Sequence, residues 1–205
     1  MGRVSTHAAL GLIASILFLA QPVVIAAVFL AVILASTYLF LFLLLTLYAA
    51  VPALGVLSLV LEFAALHGLG DVYQRKDLQK NALRFVVSLL GGTAAFIPLV
   101  ILLALTLGDC QGDLCHLLFL VWLWAAAWLL MAVVPYRFLA KAYAALGEAA
   151  DSDAFRRAAK WNWRGALLFI ALVGALLILA ARINAPKGYH ALKKADATGP
   201  NPPPP

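Results

Sequence analysis

A polytopic transmembrane bundle of α-helices is the fold class this sequence predicts, and three observations predict it. Of 205 residues, 65% are hydrophobic and 12% charged, and the mean hydropathy is +0.99. A soluble domain of this size needs far more polar surface to cover itself. Apolar runs long enough to cross a hydrocarbon core of ~30 Å recur along the chain. Finally, most lysines and arginines stand at the ends of those runs. That placement reads the net charge of +6 as the charge bias of membrane loops and leaves little reason to expect a nucleic-acid partner.

The chain opens on a short polar stretch, Met1 to Thr6, whose only side-chain charge is Arg3. Ala8–Ala20 has the length of a signal-peptide core, with Ala20–Gln21 as a cleavage site, but the apolar run continues past Gln21 and reads as a retained helix. From Ala8 to Leu66 there is almost no charge, enough for two long helices or three ordinary ones. Breaks are available at Gln21-Pro22, Ser36-Thr37 and Ala50-Val51-Pro52. A basic turn at 71–80 carries Arg75, Lys76 and Lys80. Two spans follow, roughly Asn81–Leu107 and Leu114–Pro135. The first holds Gly91-Gly92 and Pro98, and the second holds Trp122, Trp124 and Trp128.

Beyond Pro135 the pattern turns amphipathic from Tyr136 to Leu146, with Gly147 placed to end the helix and Asp151-Ser152-Asp153 placed to cap the next. The last span is expected over Gly165–Ala181, entered through the interfacial anchor Arg156, Arg157, Lys160, Trp161, Trp163 and Arg164. Binding anionic lipid head groups or an acidic partner surface is the alternative role for that anchor. The domain division is therefore a bundle over 1–182 and a polar, Pro-rich tail over 183–205.

Charge sets the orientation. The turn at 71–80 with Arg84 and the segment 137–164 carry ten lysines and arginines, four plus six, against four from Arg182 onward. This puts loops 71–80 and 137–163 in the cytoplasm and the 109–115 turn and the tail outside, with the plasma membrane as the location. Lys187, Lys193 and Lys194 then break the rule. Five spans are favoured over six, because Arg3 and the amino terminus prefer the inner face.

Glu62 is the one carboxylate inside an apolar run, with Ser58 a turn earlier on the same face as its local partner. An acid at such depth costs ~2.5–3.5 kcal/mol on insertion scales for the comparable aspartate, so it marks either an ion-coupling site or a packing contact. His7 and His67 fall at the inner surface and are weak candidates for haem or metal ligation, without a supporting ligand at the right spacing. Cys110 and Cys115 share one short external turn and are expected to form a disulfide, with free thiols as the alternative, rather than a metal knuckle. No glycine-rich phosphate loop, nucleophile triad or carboxylate pair occurs, so neither an enzyme nor a cofactor is expected.

Three segments carry a resemblance: AALGLIASILFL near the start, VPALGVLSLVLEFAALHGLGDVY followed by LQKNAL, and YRFLAKAYAALGEAADSDAFRRAAKWNWRGALLFIALVGALLIL. Together they cover about half the chain and resemble a mostly archaeal family of multi-pass membrane proteins of unknown function. The resemblance implies about five spans with the amino terminus inside, and no activity or catalytic residues; Gln21 to Ala50 reads as an insertion relative to it. The function expected is a non-catalytic accessory or structural subunit of a larger membrane complex, an energy-transducing one included. Its partners would be the lipid bilayer and other membrane subunits or further copies of itself. The alternative is a small homo-oligomeric ion or solute carrier or channel using Glu62, with Gly91-Gly92 and Pro98 as its flexible element. A membrane redox protein using His7 and His67 is the weakest reading.

Overall fold

The computed structural model describes residues 2–34, 37–107, 119, 121–123, 125–168 and 173–197, and these are helical apart from Gly2 and two tight turns. Helices α1 (Arg3–Leu34) and α2 (Thr37–Val72) form an antiparallel pair, so the long apolar start divides into two helices rather than three. Their 32 and 36 residues correspond to lengths of about 48 and 54 Å. Gly68 packs on His7, and the Ser58 hydroxyl donates to the Ala14 carbonyl at 2.8 Å. Helix α3 (Lys76–Leu107) runs on through Gly91-Gly92 and Pro98.

A π-helical segment, Trp128–Val133, leads into α4 (Val134–Ala149). The Val134 N–H reaches back five residues to the Leu129 carbonyl. Pro135 accounts for the wide turn: it has no N–H to donate, and its ring would press on the carbonyl four residues earlier in a regular helix. Helix α5 (Asp153–Leu168) and α6 (Val173–Ala197) complete the fold.

Helices α2 and α4 both end in the six-to-one capping pattern that closes a helix with a left-handed residue. Arg75 N–H bonds the Gly70 carbonyl with Gln74 at φ 52°, and Ser152 N–H bonds the Gly147 carbonyl with Asp151 at φ 44°. The expectation that Gly147 ends α4 is thus corrected: the helix continues to Ala149, and Gly147 supplies the carbonyl that the cap needs. Arg75 joins the two caps, donating to Asp77 at 2.9 Å and Glu148 at 3.2 Å, and these carboxylates push its guanidinium pKa further up.

The expected last span is the main correction. Its described residues fall in α5 and α6, which pack antiparallel: Gly165 faces Ile178 and Gly174, and Phe155 faces Gly188. A Cβ at Gly165 would stand 2.8 Å from the Ile178 backbone nitrogen, so the two legs meet only because the residue is glycine. Four helical stretches among the described residues are long and apolar enough to cross a membrane, Arg3–Ala27, Ala53–Val72, Lys76–Leu102 and Val121–Ala149, and the expected fifth is not among them.

The tail is corrected with it. Residues 184–197, assigned to a polar tail, continue α6 past Pro186 and bury Ala185, Tyr189 and Leu192. The ring of Tyr189 lies on Gly11, and Asp196 accepts from the Ser5 N–H at 3.1 Å, capping the start of α1. Burial and the Asp196 charge push the nearby Tyr73 phenol up. The start of α1, both turns and the end of α6 therefore share one end of the bundle, where a straight last span would have put the tail opposite.

The core lies toward this common end, around Leu66, Leu69, Leu139, Tyr143, Phe155 and Tyr189. Away from it the helices turn apolar side chains outward, including Val23, Leu90, Ile97, Leu105 and Trp122. Cys110, Cys115 and Trp124 lie outside the described residues, and so do residues 198–205.

Candidate functional site

Glu62 stands at the centre of the molecule, 1% exposed, on the face of α2 turned toward α4 and α6. One carboxylate oxygen accepts from the Tyr143 hydroxyl of α4, and the other pairs with the Arg182 guanidinium of α6. Arg182 is 2% exposed, and its Cζ lies 4.4 Å from the centre of the Phe18 ring of α1. Four helices thus meet on one ion pair, with an aromatic face under the cation. Tyr143 stacks on Phe155 at 6.0 Å between centroids, and Phe155 meets the edge of Tyr189 at 5.0 Å, so α4, α5 and α6 close around the pair from below.

Each partner owes its place to local sequence. Tyr143 shares the buried stripe of α4 with Leu139 and Leu146, and Arg182 shares the stripe of α6 with Ala185 and Tyr189. Small residues opposite, Gly11 and Ala14 on α1, let α6 and α2 close in. Ser58, the expected partner of Glu62, is instead spent on the Ala14 carbonyl. Sequence reasoning missed Arg182 and Tyr143. The one signal available for Arg182 was the set of lysines following it, which disobeyed the charge rule only if the chain crossed the membrane at 165–181.

Trp128 ties the π segment to α5: its indole Nε1 donates to the Ala166 carbonyl at 2.8 Å. Beside it, Phe18, Gln21, Pro22, Trp128, Met131 and Ile178 help line an apolar cavity of about 600 Å³ between α1, the π segment and α6. Gln21 is among the lining residues, and its amide nitrogen is buried toward Gly55 of α2 with no hydrogen-bond partner among the described residues.

His7 and His67 come to the common end, but apart in role. His7 packs on Gly68 beside a polar cavity of about 560 Å³ that includes Arg3, Asp71 and Gln74. His67 is exposed, 3.8 Å from Asp71 and against the Phe63 ring. Among the described residues no three His, Cys, Asp or Glu side chains converge as a metal centre needs. Of the interfacial anchor, Arg157, Lys160 and Arg164 are exposed, Trp161 and Trp163 half-buried, and Arg156 binds Asp151 and Asp153.

Neither a curated protein nor a solved structure matches this chain. Residues 54–183 match the sequence model of a family described as a protein of unknown function, DUF996, about 60% of the chain. The match takes in Glu62, Tyr143 and Arg182 and leaves α1, with Phe18, outside. The chain belongs to the DUF996 family.

Proposed function

We propose that the protein is a non-catalytic integral membrane protein, an accessory or structural subunit of a larger membrane assembly. The observation that carries this reading is the excess length of the first two helices. At about 48 and 54 Å they overrun a hydrocarbon core of ~30 Å. The sequence from Val28 to Ala50 contains no charged residue. Helices longer than the hydrocarbon is thick call for cover, and another protein provides it. The engagement of both Glu62 oxygens supports the same view, since an acid held by Arg182 and Tyr143 acts as an interhelical latch.

In this proposal the common end faces the cytoplasm, and the membrane is the plasma membrane. With α6 returning to that end, Lys187, Lys193 and Lys194 join the other cations there, and the positive-inside rule has no exception to explain.

Native mass after gentle extraction tests the proposal. A stoichiometric assembly with other chains is expected; a monomer or homo-oligomer overturns it. The second reading, a homo-oligomeric ion or solute carrier, draws on the 600 Å³ cavity, which Phe18 lines while its ring carries the Arg182 guanidinium. For that reading Glu62→Gln abolishes flux in proteoliposomes, and undiminished flux excludes it.

A further inference from the structure

Helix α5 has two sharply different faces. Phe155, Ala158, Ala159, Asn162, Gly165 and Ala166 are buried. Arg157, Lys160 and Arg164 are all exposed, and their three- and four-residue steps place them in one outward stripe together with Trp161. The acids at the start of the helix do not neutralise this stripe, because Asp151 and Asp153 both pair with Arg156 on its flank. Arg164 lies 5.9 Å from the Trp161 ring, and among the described residues Arg157 and Lys160 have no ion pair.

The stripe ends abruptly. After Arg164 the next outward positions are Leu167 and Leu168, 42% and 47% exposed, and about 6 Å of helix separates Arg164 from Leu168. Cations followed within a turn by exposed leucines match the order of a phospholipid from phosphate to acyl chain. An acidic protein surface would satisfy the cations and leave the leucines uncovered.

We propose that the outward face of α5 is a binding site for anionic phospholipid: the phosphate on Arg157, Lys160 and Arg164, the acyl chain along Leu168. The site is independent of the subunit reading and serves a lone protein or a complex equally.

The test counts lipid retained by the purified full chain, using native mass spectrometry with dioleoyl phosphatidylglycerol or dioleoyl phosphatidylcholine in neutral detergent. Three cations near a lipid surface predict a preference for phosphatidylglycerol on the order of ten- to a hundredfold, declining with added salt. Arg157→Gln/Lys160→Gln/Arg164→Gln should reduce that preference at least tenfold, whereas Arg137→Gln/Lys141→Gln/Lys187→Gln should retain it. Soluble glycerol phosphate should not compete. Equal retention of the two lipids by the unmodified protein overturns the proposal, and this comparison decides the matter even if the triple variant fails to fold. Unchanged preference in a folded triple variant overturns it too, as does full competition by glycerol phosphate. Loss of a co-purifying protein from that variant, with lipid preference intact, assigns the face to an acidic partner instead.

Discussion

Removing Arg182 while keeping Glu62 leaves a carboxylate 1% exposed with only the Tyr143 hydroxyl beside it. Removing Glu62 while keeping Arg182 leaves a guanidinium 2% exposed, resting on Phe18, with its Nε already unpaired. Breaking a buried pair from either side costs about 3–5 kcal/mol, because the surviving charge has lost its partner in a medium that cannot solvate it. Arg182→Met and Glu62→Gln should each therefore destabilise the bundle by about that much. If the two sites were independent, the double variant would lose roughly 6–10 kcal/mol. If they form one pair, the double variant removes both charges together, and the amide oxygen introduced at position 62 can still accept from Tyr143. It should then be no less stable than either single variant, with a coupling energy of at least about 3–5 kcal/mol. Unfolding by sodium dodecyl sulfate in mixed micelles, followed by circular dichroism, measures all four corners of the cycle. Additive losses would refute the ion pair as the element that fastens α6 to α2.

Three smaller perturbations test other joints. Trp128→Phe keeps the ring but leaves the buried Ala166 carbonyl without its indole donor, and should cost about 1–3 kcal/mol in the same assay. Gly91→Ala and Gly92→Ala should differ in sign although the residues are neighbours. The first meets open space and should be neutral or gain up to ~1 kcal/mol of helix propensity. The second sets a methyl 2.5 Å from the Leu130 carbonyl oxygen and should cost about 1–3 kcal/mol. Asp196→Ala withdraws the cap from the Ser5 N–H and should lower stability by about 0.5–2 kcal/mol, with faster amide exchange in the first turn of α1.

Much of this arrangement is legible in the residues. Glu62 stands out because no other carboxylate interrupts an apolar run, and it does occupy the centre of the bundle. The pairing of α1 with α2 follows from a long uncharged stretch that has polar punctuation at Ser36-Thr37. The partners of Glu62 were not legible, for a physical reason. Gly165–Ala181 has the length and hydropathy of a single crossing, and composition does not distinguish one span from two half-length legs packed together. What makes it a hairpin is close packing: Gly165 against Gly174 and Ile178, Gly188 against Phe155, and the Trp128 hydrogen bond to Ala166. These contacts are set by tertiary structure, and hydropathy carries no trace of them. Ser58 shows the same limit: one turn from Glu62 is the right spacing for a bond, but the α1 carbonyl of Ala14 lay closer at hand.

The return of the last hairpin is the claim on which the buried pair depends, and sidedness labelling tests it directly. Single cysteines placed at Gln74, Ser152 and Lys193, with Cys110 and Cys115 replaced by alanine, are treated with a membrane-impermeant maleimide in sealed, oriented vesicles. All three positions should react from the same face. Reaction at Lys193 from the face opposite Gln74 and Ser152 would mean that the chain crosses the membrane at Gly165–Ala181, and the account would fall.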